Sequence, residues 1–100
     1  MHYLLIYEVS DDYLEKRGLY RNEHLKLAWE AHEKGELILG GALSEPVDKA
    51  ILLFKADTAE VVQKFVDKDP YVKNGLVKTW SIRPWNTVVG KDSTAPVIPD

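Results

Sequence analysis

Hydrophobic and polar positions change period repeatedly along this chain. Tyr3 to Val9 is short and dense in aromatic and branched residues, the pattern of a strand. Ser10-Asp11-Asp12 follows with short polar side chains suited to the free N–H groups of a helix start. From Tyr13 to Lys34 the period becomes helical: Tyr13, Arg17, Tyr20, His24, Leu27, Ala28 and Ala31 recur at three- and four-residue steps and mark one stripe. Gly18, which costs about 1 kcal/mol relative to alanine in a helix, is the place for a break or kink. Gly35 ends the helix, and Lys34 sits favourably beside the negative end of its dipole.

A second strand is predicted over Leu37 to Leu43, with Gly40-Gly41 either bulging it or admitting a close neighbour. Ser44 to Asp48 is a turn and Ala50 to Ala56 a third strand. Asp57 and Glu60 have the spacing of a capping box for a second helix, whose apolar face is Val61, Val62, Phe65 and Val66. Asp69-Pro70 ends that helix, because the residue before proline avoids helical geometry. Tyr71 to Asn74 reads as a short turn, Gly75 as a hinge, and Leu76 to Trp85 as a fourth strand. Beyond Asn86 the periodicity is lost, and Pro96 and Pro99 suggest an extended tail over residues 87 to 100.

The order β-α-β-β-α-β predicts an α+β, ferredoxin-like fold. Two helices cover only one face of a four-stranded sheet, yet the first and third strands are apolar on both. Tyr3, Leu5, Tyr7 and Val9 alternate with Leu4 and Ile6, and Leu52 and Phe54 alternate with Ile51 and Leu53. A strand buried on one side alternates apolar with polar. A sheet apolar front and back needs a second cover, and another copy of the chain is the cheapest one, so a homodimer is expected.

Composition narrows the partners. One hundred residues make one domain, and a net charge of −3 gives no basic face for nucleic acid. No apolar run approaches the roughly 18 residues that span a bilayer. There is no cysteine, hence no disulfide framework or thiolate metal site. His2-Tyr3-Leu4 follows the first residue without a charged leader, and the expectation is a soluble cytoplasmic protein.

Several short motifs then fall in order: Arg21-x-x-His24-Leu25 on the first helix, Gly40-Gly41 in the second strand, Asp69-Pro70-Tyr71 after the second helix, Gly75-Leu76, and Ile82-Arg83-Pro84-Trp85 in the last strand. Together, over roughly residues 1 to 86, they resemble the YCII-related family. That resemblance implies a dimeric α/β barrel, in which two ferredoxin-like sheets pack face to face. It also implies a pocket with a His–Asp pair, carried here by His24 and Asp69. Few members have an assigned activity. Some are implicated in small-molecule degradation, including a dehydrochlorinase acting on a hydroxylated aromatic ring, while others look like domains attached to larger proteins.

Each candidate residue has two readings. His24 is either a core histidine satisfied locally or an acid–base group, since imidazole titrates near neutrality. Asp69 is a helix cap ahead of Pro70, a partner that orients His24, or both, one oxygen serving each role. Arg21 binds an anionic substrate, pairs with Glu23 or Glu30, or is solvated. Tyr7, Trp80 and Trp85 read first as core or dimer contacts; aromatic residues also line such clefts, and Tyr7 is the candidate substrate contact among them. Ser44 belongs to a turn or donates to a substrate oxygen. His2, His24 and His32 lack metal-ligand spacing, and Gly40-Gly41 lacks the Lys-Ser/Thr ending of a phosphate loop, so no metal and no cofactor are expected. The leading expectation is a cofactor-free enzyme performing elimination, isomerisation or lactone-type chemistry on a small molecule. The alternative is a homodimer that binds a small ligand without turning it over.

Overall fold

The inward-pointing residues of one central strand organise this chain. The computed structural model describes all 100 residues, as β1 (His2–Val9), α1 (Tyr13–Glu33), β2 (Leu37–Ala42), β3 (Lys49–Lys55), α2 (Glu60–Lys68), α3 (Pro70–Lys73) and β4 (Val77–Trp85). The strands form one antiparallel sheet in the order β2-β3-β1-β4, the ferredoxin-like arrangement. Alternation along β1 sends Tyr3, Leu5, Tyr7 and Val9 to the helical side. There they pack with Ala50, Leu52 and Phe54 of β3 and with Val62, Phe65 and Val66 of α2. Phe54 and Phe65 meet edge to face, with ring centroids 5.2 Å apart.

The stripe read from α1 is the face that packs. Tyr13, Arg17, Tyr20, His24, Leu27, Ala28 and Ala31 are its buried or half-buried positions, and every other residue of the helix is exposed. Gly35, at φ +80°, closes the helix in left-handed geometry, with the Glu36 N–H donating to the Ala31 carbonyl at 3.0 Å.

Four local expectations are corrected. α1 runs unbroken through Gly18, whose missing side chain faces open space; packing along the helix outweighs one weak residue. Asp12 occupies the cap position but caps nothing, accepting instead from the Ser10 hydroxyl at 2.6 Å and pairing with Lys16 at 2.8 Å. The capping box at Asp57 and Glu60 does not form. The helix boundary falls at Ala59, two residues past Asp57, and no side chain caps it. The segment expected as a turn after Asp69 is the single helical turn α3. In β2 the register shifts between Leu37 and Leu39, ahead of the glycines. Gly40 supplies the close approach, because a Cβ there would stand 3.3 Å from Leu52 Cγ.

The opposite face of the sheet has no helix. Leu4 lies between Leu53 and Arg83, and Ile6 between Ile51 and Ser81, giving a half-buried apolar centre. Leu39 and Trp85, 70% and 44% exposed, extend it. No helix is long and apolar enough to cross a membrane. After β4 the chain folds back as a loop: Val97 N–H donates to the Val88 carbonyl at 2.9 Å, and Thr87 Oγ1 bonds to His2 Nδ1 at 2.7 Å.

Two substitutions test this packing in urea denaturation. Phe54→Ala, at a fully buried ring, is expected to cost about 3–5 kcal/mol. Gly35→Ala is expected to cost about 1 kcal/mol or more through its positive φ. A wild-type midpoint for either would contradict the geometry described.

Candidate active site

Asp69 has no exposed surface, and three donors surround its carboxylate. It sits at the junction of α2 and α3, where Pro70 at the first helical position forces the chain to turn. Its Oδ1 caps α3 by accepting from the Tyr71 N–H at 3.0 Å and also accepts from His24 Nδ1 at 2.8 Å. Its Oδ2 accepts from the Tyr7 hydroxyl at 2.8 Å. The cap and the histidine therefore share one oxygen, which has two lone pairs to give; the other oxygen, expected to face His24, goes to Tyr7.

His24 reaches this carboxylate from the inner stripe of α1. Its imidazole stacks on the Tyr71 ring, with centroids 3.9 Å apart and planes 10° apart. Because Nδ1 is committed to Asp69, Nε2 is the nitrogen left for a ligand. Burial, then the Asp69 charge and its hydrogen bond, hold the Tyr7 phenol far above the usual tyrosine range, so it remains a donor. Burial, followed by the neighbouring Tyr13, pushes the Tyr71 phenol up to about 12.

The imidazole forms part of the wall of a cleft of about 460 Å³ between α1 and the β2–β3 edge of the sheet. Leu37, Gly40, Ala50 and Leu52 supply its sheet-side floor, and Leu25, Ala28 and Trp29 supply apolar wall from the helix. Arg21 lies on the wall and pairs with neither Glu23 nor Glu30. Ser44 does not line the cleft. β2 ends at Ala42, and the Leu43 N–H bonds back to Lys49, which leaves Ser44 in the exposed connection beyond. Trp80 and Trp85 lie on β4, away from the cleft.

Sequence reasoning missed Arg17, Trp29, His32 and Tyr71 as cleft residues. Arg17 carried a signal, being a charged residue on an otherwise buried stripe. The His32 Nδ1–H donates to the Leu37 carbonyl at 2.7 Å, tying the end of α1 to β2. Tyr71 was visible only as the end of the Asp69-Pro70-Tyr71 motif, and the turn at Asp69-Pro70 is what aims its ring.

The family model of the YCII-related domain matches residues 1–86. The chain belongs to the YCII-related family. It is 28% identical over 98 residues to Protein YciI of Escherichia coli O6:H1, a match covering 88% of this chain and 99% of that protein. The same figures hold for Protein YciI of Shigella flexneri. Among solved structures, it is similar to the 5-chloro-2-hydroxyhydroquinone dehydrochlorinase of Burkholderia phenoliruptrix, determined in complex with 2,5-dihydroxybenzoquinone. The TM-score is 0.74 and the identity 22%, over 93% of this chain and 99% of that one. This YCII-related chain therefore shares that enzyme's fold.

The two raised phenols give a pH prediction. Below pH 10 tyrosine is protonated in the folded and unfolded chain alike, so these groups leave stability flat. Above it the unfolded chain ionises first, and stability falls as pH rises from about 10 through about 12. Denaturation midpoints measured across that range are expected to decline less steeply in Tyr71→Phe. At neutral pH, Tyr7→Phe leaves Asp69 Oδ2 without its donor and is expected to cost about 1–3 kcal/mol. An unchanged midpoint in that variant would show the contact to be idle.

Proposed function

We propose that this protein is a small-molecule enzyme in which His24 transfers a proton and Asp69 orients it. The observation that carries the reading is the buried Tyr7–Asp69–His24 chain, which ends at an imidazole nitrogen free to meet a molecule in the cleft. A carboxylate on Nδ1 fixes the tautomer that leaves a lone pair on Nε2, and it stabilises the imidazolium formed when that lone pair takes a proton. The Tyr71 N–H and Tyr7 hydroxyl hold the carboxylate in turn, so the base does not reorient during turnover.

Elimination, isomerisation and lactone-type chemistry all begin with such a transfer. In an elimination, Nε2 takes a proton from the substrate, the electron pair left behind forms the new double bond, and the leaving group departs with its own bonding pair. The structurally similar dehydrochlorinase adds support for this member of the set, and its quinone complex supports a single-ring organic substrate. No step requires a group beyond the side chains named.

We also propose that the protein works as a homodimer closed over the apolar sheet face. Leu4, Ile6, Ile51 and Leu53 form a continuous centre there, and a second copy supplies the matching surface by two-fold symmetry. Sedimentation is expected to give twice the 11.4 kDa chain mass, and Ile6→Asp is expected to lower it toward one chain.

The catalytic reading is tested with His24→Ala on a panel of halogenated and hydroxylated single-ring compounds. General acid–base groups contribute about 10²–10⁴-fold in rate, and a loss of that order is expected in a variant that remains folded. Full activity in a folded His24→Ala protein contradicts the mechanism. Saturable binding with no turnover of any bound compound favours the ligand-binding alternative.

A further inference from the structure

The fixed charges around the cleft are both positive. Arg17 and Arg21 line it beside His24 and His32, and no aspartate or glutamate does, although the chain as a whole is acidic. Neither arginine has an ion-pair partner. Along α1 they precede His24 by roughly two turns and one turn, so their side chains gather at one end of the cleft. Arg17 is held there over the Tyr13 ring, 5.5 Å from its centroid, and Tyr13 meets Tyr71 edge to face at 5.8 Å. The Tyr71 hydroxyl has no hydrogen-bond partner within the chain, and both guanidinium charges act on it against the upward push of burial. Two unpaired cations and a free phenolic donor thus converge beside the imidazole that Tyr71 stacks on.

We propose that the cleft takes a flat, single-ring organic anion, its charged oxygens held by Arg17, Arg21 and the Tyr71 hydroxyl, and its ring lying over Gly40 and Leu52 within reach of His24 Nε2. Guanidinium forks and a phenol match carboxylate or enolate oxygens, whereas the apolar floor matches the ring. The missing side chain of Gly40 leaves the floor low, since a Cβ there already crowds Leu52 at 3.3 Å. This assignment deepens the proton-transfer reading and rests on it for the role of Nε2. The anion end is nevertheless a binding property, measurable without turnover.

The test is an NMR titration of the full chain with benzoate, ionised 4-nitrophenolate, benzamide and benzylamine. At least one of the anions is expected to perturb the Tyr71, His24 and Gly40 resonances and to bind about tenfold or more tightly than benzamide, the advantage shrinking with added salt. Benzoate alone would assign a carboxylate, and nitrophenolate alone an enolate-type oxygen; either supports the proposal. Arg17→Gln and Arg21→Gln are expected to weaken the anion several-fold each and to leave benzamide unchanged. Equal binding of benzamide or benzylamine, no anion effect in the cleft, or equal losses for all ligands in the arginine variants would overturn it. The same titration on His24→Ala separates the two readings. Anion binding retained there alongside undiminished turnover would sink the mechanism alone, and His24-dependent turnover without anion preference would sink this proposal alone.

Discussion

A carboxylate with no exposed surface cannot sit in a protein interior without donors around it, and at Asp69 this requirement ties the fold together. Leaving such a group unpaired costs several kcal/mol, a large part of what a domain of this size has to spare. Its donors come from three separate elements: Tyr7 on the central strand, Tyr71 on the short third helix and His24 on the long first helix. Satisfying one buried anion therefore fixes the position of α1 against the sheet. The cleft exists because α1 is held there at one end while Leu37 accepts from His32 at the other.

The same arrangement divides the labour around the imidazole. On one side Asp69 and Tyr7 are buried and protected from water, so the tautomer of His24 is set by a contact that solvent does not disturb. On the other, the ring lines a cleft with an apolar floor, beside Arg17 and Arg21. One side chain thus joins the buried network to the cleft. The Asp69–His24 hydrogen bond at 2.8 Å fixes the orientation of the imidazole ring.

Much of this was legible from the residues in order. The α1 stripe was read in full because a helix that packs on a sheet must place its less polar residues at three- and four-residue spacing. The two apolar rows of β1 and β3 were equally plain, since alternation alone sets them. Asp69 was recognisable as a cap because proline follows it. Tyr7 was visible as an inward residue, but which polar atom its hydroxyl finds depends on a contact 62 residues away, and no local pattern encodes that. Arg17 lay on the stripe, yet a charge there reads as a solvated rim until the facing wall is known to hold no carboxylate. Of the two readings of Ser44 the structure favours the turn, because β2, paired with β3, ends at Ala42. Asp57 misled because cap chemistry is common in loops and the helix boundary moved by two residues.

If Asp69 dictates which nitrogen of His24 carries the proton, the tautomer depends on that carboxylate. Long-range ¹⁵N NMR of the imidazole in its neutral form reads this directly. A proton on Nδ1, an unprotonated Nε2, and loss of that preference in Asp69→Ala are expected. A neutral His24 protonated at Nε2, or a mixture indifferent to residue 69, would contradict it.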